Sequence, residues 1–248
     1  MARQGRSAKV PDLSWAVRTE GRSLWSLNAV PGVAVRGERL KRRRGKEWRQ
    51  WSPRRSKLGA GLLRSKGDKR ILLPEPGATA LYLGAGHGTT ISHLHDHLCG
   101  EQNEHGGCIV AVDISPRCMR DLVRLAHVRP GLLPVLADAR DLQAFSPYLS
   151  TRVPWLFQDV SQAGQVDMHI AAARRYLAPL GISLLSLKSA SERSGGGGSS
   201  TPRDHYEHAR AALIDVGAEV LEVIELTGLE EKHALIVSRM PESWGVRD

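Results

Sequence analysis

At 248 residues, 41% apolar and 25% charged, the chain is long enough for one large domain or one domain plus a small one, and its composition excludes global disorder. No apolar run is long enough for a transmembrane helix, and no apolar signal core follows the basic start MARQGRSAKV, so neither a membrane partner nor export is expected and the expected location is the cytoplasm. The net charge of +9 is uneven: residues 1–70 hold 20 Lys/Arg against 5 Asp/Glu, whereas residues 71–248 hold 15 against 21, which points the front of the chain toward a polyanion.

Residues 1–14 have no periodicity and are expected to form a basic flexible tail. Residues 15–52 are short and β-like, with a turn at Ala29-Val30-Pro31-Gly32, a strand at Val33–Val35 and a basic hairpin tip at Lys41–Lys46. Four of the six tryptophans (Trp15, Trp25, Trp48 and Trp51, but not Trp155 or Trp244) fall in this small β domain, where core packing is favoured over base stacking. Pro53 opens a helical stretch from Arg54 to about Lys66. Beyond Pro76-Gly77, apolar runs at 79–83, 108–112, 132–136, 153–157, 181–187, 219–226 and 234–237 predict seven strands, the earlier ones separated by helices. Ser115-Pro116 and Thr201-Pro202 are helix starts, each a cap followed by proline at the first helical position. Strands alternating with helices imply a parallel sheet covered on both faces. The last two strands are too close for a crossover and should form an antiparallel hairpin. Residues 241–248 read as a C-terminal tail. The low-complexity segment Ser194–Ser200, with four glycines at Gly195–Gly198, follows the fifth large strand and reads as a surface insertion or a loop bordering a ligand crevice.

Leu83-Gly84-Ala85-Gly86-His87-Gly88-Thr89-Thr90 joins a strand to a helix with G-x-G-x-G spacing, not the dinucleotide G-x-G-x-x-G. The glycines let backbone approach a ligand, and the helix start offers unpaired N–H groups. Asp113-Ile114, Asp138-Ala139 and Asp159-Val160-Ser161-Gln162 end the next three strands, so polar groups gather at one edge of the sheet. A parallel sheet ending in a hairpin resembles the class I (Rossmann-like) methyltransferase fold. S-adenosyl-L-methionine fits it, with Asp113 at the ribose, Asp138 at the adenine amino group and the 159–162 turn at the methionine end. His93, His95 and His97 alternate, but without an acid or cysteine in helical register no metal site is expected.

Motifs in order along the chain resemble the fibrillarin family in its short archaeal form. They are Val30-Pro-Gly-Val-Ala-Val-Arg-Gly-Glu-Arg-Leu40, Arg55-Ser-Lys-Leu58, Leu81-Tyr-Leu-Gly-Ala85, Gly88-Thr-Thr90, Ser92-His93, Arg120-Asp-Leu122, Asp138-Ala-Arg140, Asp159-Val160 with Gln162, Lys188, and His233-Ala234. The resemblance implies S-adenosylmethionine-dependent methylation of ribose 2′-oxygens in rRNA and/or tRNA, over residues 53–240. It also implies a particle containing box C/D guide RNA, a Nop-family scaffold protein and a kink-turn-binding protein of ribosomal type, in an archaeal cytoplasm. Four positions carry over to the family's catalytic set. Lys188 would accept the hydroxyl proton, Asp159 would orient that lysine and the methyl group, Lys57 would pair with Asp159 or a phosphate, and His233 would position ribose or phosphate. The chain departs from the pattern at Arg54, Ser161, Lys232 and the glycine run. Competing expectations are a stand-alone RNA methyltransferase, a catalytically silent particle subunit and, more remotely, a nicotinamide dehydrogenase.

Overall fold

The apolar runs set the architecture seen in the computed structural model, which describes residues 13–188 and 201–245. The glycine run and residues 1–12 of the basic tail lie outside the described residues. Four short strands come first: β1 (Val17–Glu20), β2 (Ser23–Leu27), β3 (Leu40–Arg43) and β4 (Lys46–Trp51), in antiparallel order β1-β2-β4-β3. One face of this sheet lies on helix α2 (Thr89–Leu98). Trp51 stacks on His93 at 4.9 Å, and Ser26 Oγ is hydrogen-bonded to His93 Nδ1 at 2.7 Å. Trp25, Trp48 and Trp51 are buried, so the tryptophans of this sheet are packing residues, while Trp15 is partly exposed and sits edge-on to His105.

Val33–Val35 is not a strand, which corrects the sequence expectation. Side-chain carboxylates take the backbone donors that a ladder needs: Glu38 accepts from the N–H groups of Val35 and Arg36, and Glu47 accepts from Gly32. The helix expected from Arg54 is α1 (Lys57–Arg64). It starts later because Ser56, not Pro53, is its N-cap, accepting from Gly59 N at 3.0 Å.

The large sheet comprises β5 (Thr79–Leu83), β6 (Cys108–Asp113), β7 (Leu132–Leu136), β8 (Val153–Gln158), β9 (Leu177–Lys188), β10 (Glu219–Glu225) and β11 (His233–Arg239). Its order is β10-β11-β9-β8-β5-β6-β7. Strands β5 to β9 run parallel, and β11 lies antiparallel between β9 and β10. All seven expected strands are present, and β9 starts four residues earlier than its apolar core. Alternate residues feed two cores: Ala80 and Tyr82 of β5 face one, Leu81 and Leu83 the other. Helices α2, α3 (Pro116–Ala126), α4 (Gln165–Tyr176) and α5 (Pro202–Asp215) cover the faces. Ser115 and Thr201 cap α3 and α5, Thr201 through a reciprocal capping box with Asp204.

Three charged groups, Arg49, Asp96 and Arg129, are fully buried where the sheets meet. Arg49 of β4 donates from Nε and Nη2 to Asp96 Oδ2 of α2 at 2.9 and 2.6 Å, and also pairs with Glu38. Arg129 reaches the other oxygen of Asp96 only at 3.4 Å, and none of its guanidinium nitrogens has a hydrogen-bond acceptor. Among the described residues, no helix is long and apolar enough to cross a membrane.

Candidate active site

The carboxyl ends of β5, β6 and β8 converge on an open cleft of about 530 Å³, lined by Gly84, Gly86, Val112, Asp113, Ile114, Ala137, Ala139, Asp159, Val160, Ser161 and Gln162. Its floor is made by glycine. Gly84 has φ +82°, and a Cβ there would lie 2.3 Å from the Asp159 carbonyl oxygen, so any side chain would push β5 off the end of β8. A Cβ on Gly86 would meet nothing within 4 Å, which leaves bare backbone facing open space. Asp113 fixes that backbone: Oδ2 accepts from Gly86 N at 2.7 Å and Oδ1 from Ser115 N at 2.8 Å.

The far wall is the 159–162 turn. Gln165 at the start of α4 braces it, donating from its side chain to the Val160 carbonyl and accepting from Lys188 N at 3.1 Å. Gln162 Oε1 is buried, lines the cleft and has no hydrogen-bond donor opposite it. A buried acceptor without a donor is costly unless a ligand supplies one.

Lys57, Asp159 and His233 lie within electrostatic reach of one another beside the cleft, and the strand register sets Lys188 opposite His233. Lys57 Nζ lies 2.8 Å from Asp159 Oδ1, both partly buried. Ser56 sets that lysine's place, because its hydroxyl caps α1 and also accepts from Thr90 Oγ1 at 2.9 Å, joining α1 to the first turn of α2. Lys188 and His233 face each other as the last residue of β9 and the first of β11. Burial holds His233 below the usual imidazole range, its bond to the Glu231 carbonyl opposes this, and the charge of Lys57 reinforces it. His233 Nδ1 donates to Glu231 O at 2.8 Å, which leaves Nε2 as an acceptor. Beneath the rim, burial and the Asp159 carboxylate push the Tyr82 phenol well up, so it stays neutral.

The other expected cofactor residues lie off the cleft. Gly88 caps α2, and Thr90 is spent on Ser56. Ala85 and Thr89 are not among the lining residues. Asp138 is not among the lining residues either, and Arg140 donates to both of its oxygens, the closer contact at 2.5 Å. Sequence reasoning missed the lining residues Val112 and Ala137, which are ordinary sheet positions. It also missed Gln165, whose only signal is its place three residues after the turn. The alternating histidines make no metal cluster among the described residues: His95 and His97 are hydrogen-bonded to the carbonyls of Pro130 and Pro74, and His93 to Ser26.

A seven-stranded sheet of this order, with a glycine-floored cleft at its carboxyl edge, defines the class I methyltransferase fold. The fibrillarin family profile matches residues 8–242. A fibrillarin-like rRNA/tRNA 2′-O-methyltransferase of Thermococcus sibiricus is 36% identical over 234 residues, spanning 94% of this chain and 97% of the relative. The crystal structure of Aeropyrum pernix fibrillarin with natively bound S-adenosyl-L-methionine superposes with a TM-score of 0.75 at 32% identity, covering 90% of this chain and 92% of that one. Fibrillarin from a fibrillarin/Nop5p complex gives 0.77 at 25% identity, covering 93% and 100%. The chain belongs to the fibrillarin family.

Proposed function

We propose that this chain transfers a methyl group from S-adenosyl-L-methionine to ribose 2′-oxygens of rRNA and/or tRNA. In this reading a box C/D guide RNA selects the nucleotide, within a particle that also holds a Nop-family scaffold protein and a kink-turn-binding protein of ribosomal type. The observation that carries the reading is the Lys57–Asp159 pair beside a cleft floored by Gly84 and Gly86, with His233 in electrostatic reach of both and Lys188 opposite His233 in the sheet. The residues of the cleft suit the donor. Asp113 offers acceptor oxygens for ribose hydroxyls, Gly86 leaves room above its backbone, and the unpartnered Gln162 oxygen suits the ammonium of an amino-acid end. When bound, S-adenosylmethionine supplies an electrophilic methyl carbon on a sulfonium that leaves as a neutral thioether.

The protein's task is to place a poor nucleophile and remove its proton. With the donor bound, Lys188 in its neutral amine form would take the hydroxyl proton as the 2′-oxygen gains the methyl group. Lys57 neutralises Asp159, so the carboxylate orients its neighbours without repelling RNA phosphate. His233, neutral with Nε2 free, accepts a hydrogen bond from a ribose hydroxyl and suits that group better than a phosphate oxygen, which needs a donor. Asp138, paired with the exposed Arg140, would take the adenine amino group of the donor.

The test is methyl transfer from isotopically labelled S-adenosylmethionine by the chain reconstituted with an archaeal Nop scaffold, a kink-turn-binding protein and a box C/D guide. Lys188→Ala should lower turnover by about 10²–10⁴-fold, the usual worth of a general base, and leave donor affinity by calorimetry unchanged. Wild-type turnover by that variant removes Lys188 as the base. Efficient methylation of naked RNA by the isolated chain overturns guide dependence, and failure of the wild-type chain to bind the donor overturns the whole reading.

A further inference from the structure

We infer that the outward face and hairpin tip of the N-terminal sheet form a second RNA-binding surface, separate from the catalytic rim and reading phosphate backbone without sequence preference. This rests on the reading of the chain as an RNA-modifying enzyme.

The inward residues of the sheet, Leu24, Ser26, Arg49 and Trp51, are buried toward α2. The opposite face carries Arg18, Lys41 and Arg43, all converging on one carboxylate, Glu20. Two of these cations lie flat on tryptophan: Lys41 Nζ is 3.6 Å from the Trp25 ring centre and Arg18 Cζ is 3.7 Å from that of Trp48. The rings are thereby covered, Arg18 is itself buried, and the cations this face presents are Lys41 and Arg43 beside Glu20.

The β3–β4 hairpin adds cations at its tip: Lys46, opposite Arg43, continues this face, while Arg42 alternates to the other face. Arg42 is 84% exposed and reaches Glu47 only at 4.0 Å, while Glu47 is already committed to Asn28 and Gly32. Arg44 and Lys46 at the tip are exposed. The turn itself is informative. Arg44 and Gly45 both have positive φ, 51° and 75°, the geometry of a two-residue turn that favours Asn-Gly. An arginine in the left-handed region is a local disadvantage, and here it puts a charge at the most projecting point of the sheet.

Charge complementarity therefore selects a polyanion, and the planar guanidinium groups suit phosphate. The surface is also within reach of the catalytic rim. Strand β4 runs from Lys46 at the tip to Trp51, roughly 17 Å at the usual rise, and Lys57 opens α1 six residues later. The tip and the rim are thus joined through β4 and the short segment that leads into α1.

The test compares the full chain with the triple variant Arg42→Ala/Arg44→Asn/Lys46→Ala, in which asparagine suits the turn. Each protein is titrated with a fluorescein-labelled duplex RNA stem over about 50–200 mM KCl. Each lost phosphate contact lowers the slope of log affinity against log salt by about 0.7–0.9. The variant should therefore show a slope shallower by roughly 2 and at least tenfold weaker binding near 0.1 M KCl, with donor affinity unchanged. An unchanged slope and affinity overturns the proposal. So does a variant that keeps RNA affinity but loses binding to polyglutamate, which would assign the face to an acidic protein. A wild-type chain that binds no donor defeats the methyltransferase reading instead, and the two failures are distinct.

Discussion

Asp96 is the most exacting place to test how the two sheets are joined. Its side chain is fully buried between Arg49 and Arg129, which are themselves fully buried. Replacing it with alanine leaves Arg49 with Glu38 and Ser92, whereas Arg129 loses the one carboxylate near it. Stranding a buried charge costs about 3–5 kcal/mol. For a chain of this size that is a fall in melting temperature of roughly 6–20 °C. The Arg129 guanidinium makes no hydrogen bond among the described residues, and burial already holds it below its usual range. Arg129→Met should therefore stay within about 1 kcal/mol of the parent or exceed it. The double variant Asp96→Ala/Arg129→Met should regain at least ~1.5 kcal/mol of the loss, as neighbours sharing one network do. Urea unfolding followed by tryptophan fluorescence and circular dichroism measures all four proteins. An Asp96→Ala chain that unfolds with the parent, or a double variant whose losses simply add, refutes this account of the junction.

Three further outcomes follow from the geometry. Gly84→Ala forces a Cβ onto the Asp159 carbonyl at a positive φ, so it should abolish calorimetric donor binding and lower stability by several kcal/mol, at or above the ~1–3 kcal/mol typical of local backbone strain. Burial lowers His97 to about 4 and His169 to about 3. The unfolded chain therefore binds more protons below pH 6.5, and stability should fall by about 1.4 kcal/mol per pH unit for each histidine between pH 6.5 and 4. That slope should be shallower in His169→Asn, as read from denaturant midpoints across the range. A Lys57→Met chain should lose methyl transfer while keeping donor affinity within about tenfold, since Lys57 is outside the lining of the cleft.

What could be read from the sequence depended on whether side chains or backbone decided the outcome. Strands such as Cys108–Asp113 were legible because both faces are buried, so the apolar run itself is the signal. The glycine loop and the acids at the strand ends were legible because they recur at one edge of an alternating fold. Val33–Val35 was misread because Glu38 and Glu47 compete for its backbone, a choice hidden from periodicity. The pair that Asp138 makes with Arg140 two residues on is likewise hidden from the strand pattern. Gln165 had no signal beyond its place three residues after the turn, since its role arises only where the start of α4 meets the end of β9.

Arg36, on the loop between β2 and β3, bonds to the His87 carbonyl inside the glycine loop and to Asp121 of α3, and Asp121 also holds the His87 ring at 2.8 Å. The front module thus grips the donor loop from outside, leaving no natural seam along which a minimal catalytic fragment could be excised. Tension applied to the hairpin by any tethered load would be transmitted through that clasp to the nucleotide end of the cleft.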